Sequence, residues 1–127
     1  MTAAENRAII LQLIEEVINE GNLALIDDLF DAGFVDRSSP DQPPGPAGVR
    51  DYIAAVRAGF PDLRVHITEL IAKYNKVAVR TLWRGTHTGV YAGKAPTDKL
   101  VMRTMIQIFR LAHGKIVEEW NEGGGLA

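Results

Sequence analysis

The sequence has 127 residues, 46% of them apolar and 24% charged, which is ordinary for a globular chain and excludes a disordered or low-complexity one. Fourteen Lys and Arg against sixteen Asp and Glu leave a formal charge of -2, so no basic field is available for a phosphate backbone, and nucleic acid is not an expected partner. The lack of cysteine excludes disulfides, thiolate metal sites, iron–sulfur clusters and cysteine nucleophiles.

The opening Met1-Thr2-Ala3-Ala4-Glu5 carries no basic stretch followed by an apolar run, and no apolar run reaches the roughly eighteen residues of a membrane helix. The expectation is one soluble, cytoplasmic domain over 1–127 with no membrane partner. Thr2-Ala3-Ala4-Glu5 has the spacing of a capping box and predicts a helix start. Ile10, Leu13, Ile14, Val17 and Ile18 continue it as one apolar stripe up to Gly21-Asn22. Asn22 is expected to cap a second helix, whose stripe is Leu25, Ile26, Leu29 and Phe30, before a short extended Phe34-Val35-Asp36. Four of the six prolines fall between Ser38 and Pro46, which predicts a loop. A third helix follows from about Ala47, with Val49, Tyr52, Ile53 and Val56 on one face, and stops before Phe60-Pro61.

After Pro61 the period becomes two. Leu63, Val65 and Ile67 alternate with Arg64, His66 and Thr68, the pattern of a half-buried strand. Further strands are predicted over 77–87, 100–111 and 115–120. A hairpin turn at Ala112-His113-Gly114-Lys115 would use the positive φ that Gly114 adopts freely. Three helices followed by sequential strands imply an α+β fold, with the helices packed on a strongly curved, mainly antiparallel sheet.

A curved sheet under helices can enclose an apolar pocket. On the third long strand Met105, Gln107 and Phe109 share a face, so Gln107 either bonds a ligand carbonyl or is satisfied by a neighbouring strand. Trp83 or Trp120, and Tyr52 from the third helix, are further candidates for the pocket wall. His87, at a strand end in Gly85-Thr86-His87-Thr88-Gly89, is either an acid–base group or structural; His66 and His113 read as solvent-facing. Glu118 shares strand parity with Trp120, where an indole can raise a carboxylate pKa; otherwise it is a structural ion-pair partner. Glu122 has the same parity and could reach a pocket mouth. Arg37 is suited to an acidic substrate or to a surface ion pair with Asp31, Asp36 or Asp41. No phosphate loop, convincing zinc site or serine hydrolase elbow is present.

Together these segments resemble the SnoaL-like polyketide cyclases of the nuclear transport factor 2-like superfamily. The likeness rests on Gly21-Asn22-Leu23 before Leu29-Phe30, on Phe34-Val35-Asp36, and on Gly45-Pro46-Ala47-Gly48-Val49-Arg50 leading to Phe60-Pro61-Asp62-Leu63. Gly85-Thr86-His87-Thr88-Gly89 with Ala95-Pro96-Thr97, Ile108-Phe109-Arg110 and Gly114-Lys115-Ile116-Val117-Glu118-Glu119-Trp120 are more specific. The resemblance implies a cone-shaped fold, a small hydrophobic carbonyl substrate, no metal and no organic cofactor, and ring closure by an intramolecular aldol step. It aligns Gln107 with a polar pocket residue and His87 with a strand-end histidine. The catalytic aspartate it implies, four residues after the tryptophan, falls on Gly124, and a frequent histidine falls on Arg37. Glu122, Glu118 and His87 are then the candidates for acid–base work.

Two functions stay open: a cofactor-independent cyclase, isomerase or hydrolase, or a noncatalytic binding or dimerising module. A raised carboxylate inside the pocket would favour the first; an exposed Glu122 with Glu118 locked in an ion pair would favour the second. Apolar residues on both faces of the third long strand, Met105 and Phe109 against Met102, Ile106 and Ile108, predict a homodimer on the outer face.

Overall fold

The computed structural model describes residues 1–123 and Leu126. Its first helix, α1 (Ala3–Gln12), starts at the expected capping box: Thr2 Oγ1 accepts the Glu5 amide at 3.0 Å and the Glu5 carboxylate accepts the Thr2 amide at 3.2 Å. It runs on into a π-helical segment, Leu13–Asn19, whose Leu13, Ile14, Val17 and Ile18 are buried. Asn22 makes no side-chain cap. A single 3₁₀ turn, Leu23–Leu25, leads into the short α2 (Ile26–Leu29).

The sheet begins earlier than the stripe suggests, because Phe30 is already extended at φ -105 and ψ 139. The first strand, β1, is Phe30–Asp36, and α3 is Pro46–Gly59, with its proline in the first turn, where no amide donor is needed. β2 (Arg64–Lys73), β3 (Lys76–Thr86), β4 (Leu100–Ala112) and β5 (Lys115–Glu122) follow. The sheet order is β1-β5-β4-β3-β2; β1 lies parallel to β5 and every other pair is antiparallel. Three helices thus pack against a five-stranded mixed sheet, as expected for an α+β chain.

The helices cover one sheet face. Ile10, Ile14, Val17 and Val56 join Val77, Val79, Trp83 and Phe109 in one core. Asn19 ties the helical layer to an edge strand: its amide donates to the Val65 carbonyl at 3.0 Å and its carbonyl accepts the Val65 amide at 2.7 Å. Arg57 of α3 donates to the carbonyls of Ile18 and Asn19 at 2.7 and 2.9 Å, serving backbone acceptors that the helix end leaves free.

The β4–β5 hairpin turns through His113 and Gly114, both at positive φ (53 and 77), as a two-residue turn requires. Beyond it Leu111 faces Ile116, but Arg110 faces Glu118. Val117 is therefore an extra residue, a β-bulge, and every later side chain of β5 lies on the opposite face from where unbroken alternation would put it. Among the described residues no helix is long and apolar enough to cross a membrane.

Candidate functional site

A cavity of about 330 Å³ lies between the helices and the inner sheet face. One end is apolar, with Leu13 and Ile18 of the π-helical segment, Phe30, Ile53, Trp83 and Met105. The Trp83 indole N–H donates to Thr81 Oγ1 at 2.9 Å, so its polar edge is satisfied beneath the surface. The other end is polar and built by Asp36, Tyr52, Tyr91, Gln107, Glu119 and Asn121.

Glu119 is the chemical centre of that end. The bulge at Val117 sets it opposite the inward-facing Phe109, and Asn121 opposite Gln107. The Gln107 amide donates to Glu119 Oε2 at 2.9 Å. Although the residue is partly accessible through the cavity, protein encloses its carboxylate. Burial first, then the Asp36 carboxylate, push its pKa up to about 7, against the opposing pull of hydrogen bonds from Gln107 and Asn121.

Asp36, at the end of β1, is held by other donors. Its Oδ1 accepts the Ser38 amide at 2.9 Å, and its Oδ2 accepts the Asn121 amide at 3.2 Å. Ser38 in turn accepts the Asn121 backbone amide at 2.7 Å, joining the loop after β1 to β5. Tyr52, on α3, has its phenol pKa raised by burial and by the nearby Tyr91, Glu119 and Asp36, so it stays a neutral donor. Tyr91 is set by a close approach: a side chain at Gly59 would lie 2.6 Å from the Tyr91 Cβ.

Several positions differ from those expected. Glu118 is outside the cavity, held by Arg37 at 2.8 Å and by Arg110, and these partners keep its carboxyl below the usual range. Arg37 is thereby committed to an ion pair. Trp120 is on the outer face with Lys76 5.9 Å from its ring, and Glu122 is exposed there opposite Ile106. The cause is common to Glu118, Trp120 and Glu122: parity counted from Ile116 points them inward, and the bulge turns them out. His87 is buried away from the cavity, stacked on Phe60 with ring centroids 5.2 Å apart and with Nδ1 3.2 Å from Thr97 Oγ1. Phe109 is core beneath the cavity, whereas Gln107, Trp83, Met105 and Tyr52 line it. Gly124 lies outside the described residues. Reading β5 by parity missed Glu119 and Asn121, where the signal available was charge, since the outward Arg110 pairs naturally with Glu118; Asp36, at the end of β1, was expected only as an ion-pair partner of Arg37.

A profile of the SnoaL-like polyketide cyclases matches residues 8–123. The chain belongs to this family. Among solved structures it is similar to AclR, a candidate hydroxylase from Streptomyces galilaeus, at 25% identity and a TM-score of 0.84, over 97% of this chain and 91% of that one. IdmH, a candidate polyketide cyclase from Streptomyces antibioticus, is 27% identical with a TM-score of 0.78, over 93% of this chain and 91% of the other. A SnoaL-like polyketide cyclase from Agrobacterium tumefaciens, 19% identical with a TM-score of 0.79 over 96% and 93% of the two chains, shares the fold. No curated protein matches. Among the described residues of this SnoaL-like chain no group of three His, Asp or Glu side chains is placed to hold a metal.

Proposed function

We infer that this SnoaL-like protein binds a small hydrophobic carbonyl compound in the cavity and closes a ring in it without a cofactor, with Glu119 moving the proton. The observation that carries this reading is a carboxylate with a pKa raised to about 7, set at the polar end of an otherwise apolar cavity. A base with that pKa is partly ionised at neutral pH and, once protonated, is a competent acid. Ionised Glu119 removes a proton from the carbon beside one carbonyl. The electron pair of that C–H bond forms the enolate, whose carbon bonds to a second carbonyl carbon of the same molecule. The electrons of that second C=O move to its oxygen, which takes the proton back from Glu119. The apolar wall folds the chain so that the reacting carbons meet, where the gain in effective molarity is made. Tyr52 and Tyr91 are the neutral donors at the same end for the enolate oxygen.

Isomerase or hydrolase chemistry would use the same carboxylate. The alternative, a noncatalytic binder, draws on the exposed Glu122 and the ion-paired Glu118, but neither residue reaches the cavity. Glu119→Gln keeps the shape and removes the proton acceptor. Turnover of a linear or partly cyclised polyketone should fall about 10² to 10⁴-fold with ligand binding retained. An active wild type unaffected by this change would overturn the assignment, and a wild type that binds such compounds without turnover would establish the binder. The reading also includes a homodimer through the outer sheet face and a cytoplasmic location.

A further inference from the structure

The polar end of the cavity is unbalanced in charge and in hydrogen bonding. Among its described lining residues the charged side chains are both acids, Asp36 and Glu119. Cations on adjoining elements are engaged elsewhere: Arg37 with Glu118 at 2.8 Å, Arg50 with Asp27 at 3.0 Å, and Arg57 with two backbone carbonyls. The amide donors nearest the two acids are engaged by them, while the phenols of Tyr52 and Tyr91 line the same end. Gln107 gives its amide to Glu119, and Asn121 gives its amide to Asp36, whose other oxygen takes the Ser38 amide. Asn121 Oδ1 is left buried with no partner among the described residues. A buried acceptor without a donor is unfavourable, and its pairing by a ligand is correspondingly rewarded.

We propose that Asp36, Glu119 and Asn121 form a donor-selecting subsite, which takes a hydroxyl of an uncharged ring compound, a phenol or enolised ketone, and excludes carboxylates. This rests on the reading that the cavity is the ligand site, and it names the substrate class more narrowly. A hydroxyl can donate to Asn121 Oδ1, whereas a methoxy group at the same place cannot. A carboxylate brings a third negative charge beside Asp36 and Glu119 with no cation to offset it.

The test is titration calorimetry of the intact protein at pH 7.5 with 2-naphthol, 2-methoxynaphthalene and 2-naphthoate, which share one ring system. The naphthol should bind about tenfold or more tightly than its methyl ether, and the naphthoate more weakly than either. Asn121→Leu should abolish the preference of naphthol over methoxynaphthalene, and Asp36→Asn should narrow the disadvantage of the naphthoate. Should either variant fail to fold, the order of the three ligands on the wild type decides alone. Equal affinity for naphthol and its ether, naphthoate binding as tightly as naphthol, or no binding of naphthol at millimolar concentration overturns the proposal. Since the readout is affinity, absence of turnover would count against ring closure while leaving the ligand order intact.

Discussion

Glu118 and Glu119 are neighbours in sequence with opposite electrostatics. Two guanidinium groups hold the first as a carboxylate, while burial beside Asp36 favours the proton on the second. The second shift has a sign that can be measured. Glu119 has a folded pKa of about 7 against a reference of 4.5, so the unfolded chain ionises it first as pH rises. Its unfavourable contribution is absent below about pH 4.5, grows between the two values, and is complete above about 7. Glu119→Gln should therefore gain stability relative to wild type by roughly 3 kcal/mol between pH 4.5 and pH 7.5 in paired urea titrations. A constant difference across that range would refute the burial argument. Gln107, identified from alternation alone, reaches the cavity because β4 keeps strict period two beside β3. Gln107→Leu should weaken a Trp83-quenching ligand with a central carbonyl more than one without it; equal losses would deny Gln107 a directional role.

At the scale of elements, the bulge at Val117 decides which β5 residues meet the ligand. No residue type marks it, because neither Ile116 nor Val117 is a turn former and a bulge needs no special residue; the charge match of Arg110 with Glu118 is the one hint. The hairpin before it was legible, since Gly114 marks the positive φ. The capping box, the proline-rich loop and the strand alternation were legible for the same reason: each is a local rule with a short range. Deleting Val117 would leave Ile116 opposite Leu111 and Glu118 opposite Arg110 with no extra residue between them, so the shortened chain should keep Glu119 inward and retain ligand binding in a combined melting and titration experiment; loss of binding in a folded variant would deny the bulge this simple role. Asn19 is the other long-range tie. Asn19→Leu would leave the Val65 amide and carbonyl without partners, and should cost about 2 to 4 kcal/mol in chemical denaturation with little change in slope.

For the whole molecule, the outer sheet face carries an apolar row. Ile71, Ala78, Ile108 and Trp120 are successive cross-strand partners on β2, β3, β4 and β5, and Ile106 and Met102 are exposed nearby. A patch continuous across four strands is suited to a second copy of the chain. Sedimentation should find a species of twice 13.9 kDa at micromolar concentration, and Ile108→Glu should return it to the monomer. A wild type that sediments only as monomer would remove the dimer from the functional reading. That both faces of β4 are partly apolar was visible in the sequence; the alignment of four such strands into one row was not, because register is a property of pairs.

The parallel contact of β1 with β5 bears on synthesis. β1 ends at Asp36, and its one partner in the sheet starts at Lys115. While the ribosome is still making the residues between them, Phe30 and Phe34 have no strand to lie beside, and Asp36 lacks the Asn121 amide that later orients it. The helices and the β2–β3 hairpin can form from nearby contacts, but the acidic end of the cavity is assembled only after nearly all of these residues have emerged. Closing so long a loop is slow compared with local pairing. The acidic end of the cavity is therefore among the last parts of the fold to be completed.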